Sequence, residues 1–317
     1  MHNTSEILNI FDHAMDAVTS RAKTFALLNQ DQINAVINML ADEESKELYV
    51  REMTSCLLRL CLPLDAATNL SGLNLNPKFI ESMEKIRKEE IYKHIFVQNN
   101  LQAEDSKAYC MAATFILEQY KYKNLVQVEK GDICIDAGAC LGDTAIWFIL
   151  QGASQVHSFE IDRSNLTCFQ NTVNHCNCSD KIFIHESAIG LDKKQLYYLP
   201  SAQNIGGGRL LEKEVDNSYI VNVTNIDAFC SENNLHPNFI KMDIEGAEPQ
   251  AIEGAKKTLI NDRPKFAICI YHTLEQRFEI PMLLKSFLPD YKFYLKKVHP
   301  YFETVLFGQP MEKYSQK

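Results

Sequence analysis

The sequence predicts a doubly wound α/β fold with a mostly parallel sheet in its C-terminal part, preceded by a helical N-terminal region. Three observations carry this expectation. From Lys130 onward, short apolar runs recur as DICIDA, QVHSFEI, KIFIHESAI, NFIKMDI, KFAICIY, YKFYLKK and ETVLFG. Helical segments fit between most of them, at Asp143–Leu150, Ser164–Cys176, Thr224–Asn233, Gly246–Ile260 and Leu274–Phe287. Before them, residues 1–118 carry almost no strand signal. Strands nearly continuous in Val, Ile and Phe belong to a sheet covered on both faces, and their alternation with helices implies parallel crossovers.

The N-terminal region has helical spacing at Ala26–Leu40 and Glu47–Leu62, punctuated by Pro63 and the turn-rich Asn69–Pro77. The expected division is a helical cap domain over 1–118 and an α/β domain over 119–317. Between the third and fourth core strands lies an insertion, Lys193–Val223, in which QLYYL and YIVNV flank the run Gly206, Gly207, Gly208. A long glycine-bearing insertion at a sheet edge is a candidate substrate loop.

The 317 residues suit one large domain and a smaller companion, and 46% apolar with 23% charged residues is an ordinary globular balance. Net charge is −9, with Lys and Arg scattered, which disfavours a nucleic-acid partner because such binding draws on phosphate neutralisation. MHNTSEILNI lacks the basic and apolar regions of a signal peptide. The longest apolar run, Cys110–Leu117, is far short of the ~20 residues that span a bilayer. A cytosolic protein without a membrane span is expected. The ten cysteines read as reduced, with Cys134, Cys140 and Cys269 in apolar segments. Cys168, His175, Cys176 and Cys178 lack the paired spacing of a zinc site, so no metal is expected.

In an open parallel sheet the ligand sits at the carboxyl ends of the strands, nearest the loop after the first one. That loop is Asp136, Ala137, Gly138, Ala139, Cys140, Leu141, Gly142, Asp143, Thr144. Gly138 and Gly142 let the backbone turn sharply and approach a ligand, and Asp143 or Thr144 can cap the next helix. The spacing D-x-G-x-x-x-G is not the G-x-G-x-x-G that admits a dinucleotide pyrophosphate. An acid before the turn suits a cation instead. S-adenosylmethionine carries an ammonium and a sulfonium and no phosphate. Glu160 and Ile161 follow at the end of the second strand, where a carboxylate can accept both ribose hydroxyls, and Ser187 with Ala188 can face an adenine.

The fourth strand delivers Lys241, Asp243, Glu245 and Glu248. Period-2 geometry puts Lys241 and Asp243 on one side, and a buried Lys needs a carboxylate, for which Asp243 or Glu245 is the expected partner. Glu248 suits the N-terminus of the next helix. The fifth strand ends in Tyr271 and His272, which brings an imidazole to the same edge as Asp243.

IDAGACLGDT, the strand ending FEID, ESAIG, FIKMDIEGAEPQAIEGA and ICIYHTLEQRFEIP resemble the FkbM family of class I methyltransferases over about residues 125–308, with KMDIEGAE the most specific segment. The resemblance implies a Rossmann-like seven-stranded sheet with an antiparallel last strand, S-adenosylmethionine as cofactor, and methyl transfer to a hydroxyl oxygen, often on a sugar or polyketide. Asp136, Gly138, Gly142 and Glu160 would inherit cofactor roles, and Asp243, Glu245 and His272 sit at motif positions. The expected chemistry aligns an acceptor oxygen with the methyl group, with Asp243 or His272 as base and Glu245 orienting the acceptor or pairing Lys241. The acceptor is expected to be a small molecule or glycan. A non-catalytic S-adenosylmethionine sensor and a nicotinamide-dependent oxidoreductase are the alternatives.

Overall fold

A computed structural model describes residues 16, 19–73, 77–86, 88, 104–201, 207–300 and 303–314. Its centre is a seven-stranded sheet. The strands are β1 (Ile133–Ala137), β2 (Gln155–Glu160), β3 (Ile182–Glu186), β8 (Phe239–Met242), β9 (Lys265–Cys269), β10 (Tyr291–Lys297) and β11 (Thr304–Pro310), in the order β10-β11-β9-β8-β1-β2-β3. Neighbours pair in parallel except around β11, which runs antiparallel to β9 and β10. Connections reverse direction between β1 and β8, so the loops after β1, β2, β8 and β9 open onto one crevice at the switch point.

Alternation along each strand feeds two cores. Ile135 and Ala137 of β1 face one cluster with Ile240, Met242, Phe266 and Phe293, while Cys134 faces another with Phe148, Phe239 and Phe307. Helices α1 (Gln30–Met39) and α2 (Glu43–Arg59) contribute Val36, Leu40, Tyr49 and Met53 to the first cluster, so the helical region and the sheet share a core. Ala41 N–H donates to the Phe293 carbonyl at 2.8 Å, and Leu40 bridges Phe293, which covers the β10 edge. Glu52 of α2 is wholly buried between Arg277 (2.8 Å) and Lys297 (3.1 Å). Burial opposes its charge, but Lys297 and Arg277 outweigh it and hold the carboxyl at about 2.

After α3 (Leu64–Leu70) and α4 (Pro77–Ile86), α5 (Glu104–Met111) runs into a π-helical turn, Ala112–Ile116. On the sheet, α6 (Asp143–Gln151) follows β1, and α7 (Arg163–His175) follows β2 with Asp162 accepting from the N–H groups of Ser164 and Asn165. The segment Gly246–Ile260, expected as one helix, is two: α9 (Glu248–Glu253) and α10 (Lys256–Asn261). The break falls at Gly254, where a Cβ would stand 2.2 Å from the Gly190 carbonyl oxygen. Close passage of another chain segment thus leaves no room for a side chain at the break. Helices α8 (Ile226–Asn233) and α11 (Gln276–Phe287) occupy the expected places.

A second sheet, β4-β7-β5-β6, joins β4 (Ala188–Ile189), just before the insertion, to β5 (Lys194–Leu199), β6 (Arg209–Leu211) and β7 (Tyr219–Thr224) of the insertion. Gly206 of its glycine run lies outside the described residues. Tyr198 donates to Asp162 Oδ2 (3.2 Å) and Tyr219 to the Ile161 carbonyl (2.9 Å), which ties this sheet to the loop after β2. Among the described residues, no helix is long and apolar enough to cross a membrane.

Candidate active site

The crevice is a cavity of about 610 Å³, within the size range of small-molecule sites. Gly138, Asp143, Thr144, Glu160, Ile161, Ser187, Ala188, Asp243 and Glu245 all line it. Asp136, Ala139, Gly142 and His272 do not, and each has a physical reason.

Asp136 is fully buried beneath the loop. Its Oδ1 lies 3.1 Å from Lys241 Nζ, and its Oδ2 accepts from Ser158 Oγ at 3.3 Å. The Lys241 ammonium also donates to the carbonyls of Gly138 (2.5 Å) and Ala137 (3.3 Å). The expected Lys241 partner, Asp243 or Glu245, is therefore corrected to Asp136, its register neighbour across β1 and β8. Ala139 is buried in the second core cluster, and Gly142 opens α6 against the Phe169 ring. Gly138, at φ 81°, faces the cavity but also meets the chain: a Cβ there would stand 1.8 Å from the Asp243 carbonyl oxygen. That close approach joins the ends of β1 and β8, an architectural role besides any ligand contact.

Glu160 enters from the end of β2 with Oε1 accepting from the N–H groups of Ile161 and Asp162, both at 2.7 Å. Its carboxyl is raised by burial, which outweighs these bonds. Asp143 accepts from Thr114 Oγ1 at 2.7 Å, binding the π-helical turn to the loop after β1, and burial raises its carboxyl as well.

Beyond β8 the charges are dense. His272 presents Nε2 at 3.4 Å from Asp243 and Nδ1 at 3.2 Å from Glu248. Burial works against its charge, yet Asp243 and Glu248 raise it to about 10, so the ring is an imidazolium at neutral pH. Asp243 is also buried, and His272, Lys241 and Tyr120 bring it down to about 2. Glu245, with a left-handed φ of 57°, is pushed up to about 7 by burial and by the Asp243 charge. The two carboxylates favour the protonated ring, which works against His272 as the base expected from the sequence. Glu248 is fully buried and accepts from the Ile244 N–H at 2.7 Å, closing the turn before α9. Asp243, Glu248 and His272 are also close enough together to hold a metal ion, but the two carboxylates lie off opposite nitrogens of one ring, the arrangement of an ion-paired bridge.

The methyltransferase FkbM domain matches residues 136–299, just over half of the chain. The chain belongs to the FkbM methyltransferase family. The curated proteins contain no relative that matches this FkbM-family chain. Among solved structures, the methyltransferase FkbM from Methylobacillus flagellatus KT is similar at 20% identity and TM-score 0.59, covering 90% of this chain and 60% of that one. The chain thus spans 60% of the length of that relative. A methyltransferase from Geobacter sulfurreducens overlays at TM-score 0.36 and 12% identity, over 79% of this chain and 98% of that one. A precorrin-6y C5,15-methyltransferase from Geobacter metallireducens GS-15 does so at TM-score 0.35 and 11% identity, over 58% and 80%.

Sequence reading missed several walls of this FkbM-family cavity. Cys110, Thr114 and Tyr120 reach it from just before the sheet, Tyr198 and Arg209 from the insertion, and Glu303 from the β10–β11 connection. Glu303 accepts from the Tyr109 hydroxyl and is pushed up to about 8 by burial. Tyr198 and Arg209 belong to the insertion expected as a substrate loop, whereas no local motif marks Cys110, Thr114, Tyr120 or Glu303, which only the packing of distant segments brings to the crevice.

Proposed function

We propose that this FkbM-family protein is a cytosolic S-adenosylmethionine-dependent O-methyltransferase acting on a hydroxyl of a sugar, polyketide or related small metabolite, with Glu245 taking the proton. A small-molecule or glycan acceptor, and not a nucleic acid, fits the net charge of −9. The observation that carries the reading is the acidic floor where β1, β2 and β8 end. Lys241 there is already matched by Asp136, and the other ionisable carboxyl groups at these strand ends are Asp143, Glu160, Asp243 and Glu245, with the cationic Lys194 and Arg209 of the cavity coming from the insertion. Such a surface suits a cationic, phosphate-free cofactor and repels a pyrophosphate, which speaks against the nicotinamide alternative.

When bound, the cofactor supplies a methyl group activated by a positively charged sulfur. Glu160, oriented by the amides of Ile161 and Asp162, offers its carboxylate to the ribose, while Ser187 and Ala188 border the adenine side. The turn through Gly138 and the Asp143 side chain bound the methionine end. Glu245 is the titratable group of the β8 loop balanced near neutrality, so it could take up the proton that the acceptor hydroxyl gives up, a contribution of typically about 10² to 10⁴ in rate. Asp243 is too weak a base, and the His272 imidazolium holds Asp243 and Glu248 in place. In this reading the cap over 1–118 closes the methionine end through Thr114.

Calorimetry with S-adenosylmethionine, S-adenosylhomocysteine and NAD, followed by transfer of a labelled methyl group to a panel of hydroxylated acceptors, tests the proposal. Binding of NAD alone would overturn it, and cofactor binding without transfer to any acceptor would favour the sensor.

A further inference from the structure

Two tyrosines without a part in the proton transfer face the same cavity beside Gly138, Lys241 and Asp243. Tyr120 precedes β1 and Tyr271 follows β9. Their hydroxyls converge on one carboxylate: Tyr120 donates to Asp243 Oδ2 at 3.0 Å and Tyr271 to Asp243 Oδ1 at 3.3 Å. Burial and the Asp243 charge raise both phenols well above their ordinary value, so these protons stay in place. A phenol has one proton and two lone pairs. With both protons turned toward Asp243, the lone pairs of both oxygens are left for whatever enters the cavity. One face of the Tyr120 ring meets Lys241 Nζ, 5.2 Å from its centroid.

The charges beneath the phenols do not cancel. Lys241 is matched by Asp136, whereas His272 stands among three carboxyl groups, Asp243, Glu248 and, at 3.9 Å, Glu245, which leaves this cluster negative. A positive centre held against the two oxygens would therefore be stabilised by their dipoles and by the carboxylate behind them.

We infer that Tyr120 and Tyr271, locked by Asp243, form a cation-selective subsite for the sulfonium of S-adenosylmethionine and distinguish it from the neutral thioether of S-adenosylhomocysteine. The inference rests on the reading of the cavity as the S-adenosylmethionine site. It adds a functional consequence: the site holds the charged cofactor more firmly than the spent one, which favours exchange after each transfer. Both tyrosines would contact the cofactor directly, with Asp243 positioning them, and neither exchanges a proton.

The test is calorimetric titration of the full chain and of Tyr120→Phe and Tyr271→Phe with each ligand, with thermal melting to follow folding. Each substitution removes one oxygen and keeps the ring. Each is expected to weaken S-adenosylmethionine about fivefold, the loss of one polar contact, while S-adenosylhomocysteine changes less than about twofold, so the preference for the charged cofactor falls. That ratio, taken within one variant, is independent of the folded fraction, and if one variant fails to fold the other still carries the comparison. Equal weakening of both ligands, or of neither, overturns the subsite while leaving the cofactor assignment standing. Failure of the unsubstituted protein to bind either ligand overturns both.

Discussion

Lys241 and Asp136 stand opposite one another on adjacent strands, 3.1 Å apart and shielded from water, directly beneath the loop that borders the cavity. The pair binds the ends of β1 and β8 together and holds the carbonyls of Ala137 and Gly138 through the same ammonium. Removing one partner leaves the other charge buried and unmatched, which typically costs about 3–5 kcal/mol. Lys241→Met is expected to lose stability on that scale, and the double variant Lys241→Met/Asp136→Leu to regain much of it. Chemical denaturation of the three proteins measures both. A single variant as stable as the parent would exclude the pair as a structural tie.

The proton acceptor sets a pH profile. Glu245 is raised to about 7, so the rate of methyl transfer is expected to rise with pH through that value and then level off as the carboxylate becomes populated. Glu245→Gln should lower turnover by about 10² or more and flatten the profile, with affinity for S-adenosylhomocysteine little changed. Single-turnover transfer to an acceptor identified by the labelled-methyl screen reads the first part, and calorimetry the second. A Gln variant with full turnover would remove Glu245 from the chemistry.

His272 is raised from 6.5 to about 10 by two carboxylates. A group whose folded value lies above its unfolded one binds its proton more tightly in the native state, so its contribution is complete below about 6.5 and fades as pH climbs toward 10. His272→Asn is therefore expected to melt well below the parent at pH 6 and to approach it at pH 10. Melting curves across that range test the sign. A gap that widened with pH would mean that the ring is neutral in the native protein.

Glu160→Ala should weaken cofactor binding without unfolding the chain, because the side chain ends a strand at the cavity wall. Loss of charge-assisted hydrogen bonds at about 1.5–3 kcal/mol each raises the dissociation constant at least about tenfold. Calorimetry with S-adenosylhomocysteine decides it, and an unchanged affinity would move the ribose elsewhere.

Gly138→Val separates two readings of one residue. As a ligand-facing turn it predicts a folded protein that no longer binds cofactor. Contact with the Asp243 carbonyl, 1.8 Å from where a Cβ would stand, and the φ of 81° predict instead a loss of folded protein. Far-ultraviolet circular dichroism and the soluble yield distinguish them, and the second outcome is expected.

The sheet, its mostly parallel sense and the cavity-lining loops were legible in the sequence because they depend on local periodicity and on the D-x-G-x-x-x-G spacing. The apolar strands needed a two-sided cover, and Gly138, Glu160, Ser187 and Asp243 could be put at strand ends by counting along the chain. What each charge does was not legible. Lys241 chose Asp136 over Asp243 because register across β1 and β8 sets them side by side. His272 became a held cation because Glu248, from the helix after β8, reaches the far side of its ring. Tyr120 and Glu303 reached the cavity from segments with no motif of their own. Local pattern determined which elements form and which strand ends meet the crevice. Protonation, ion pairing and the walls of the site depend on distances between residues far apart in the chain, and those distances exist only once the tertiary structure has formed.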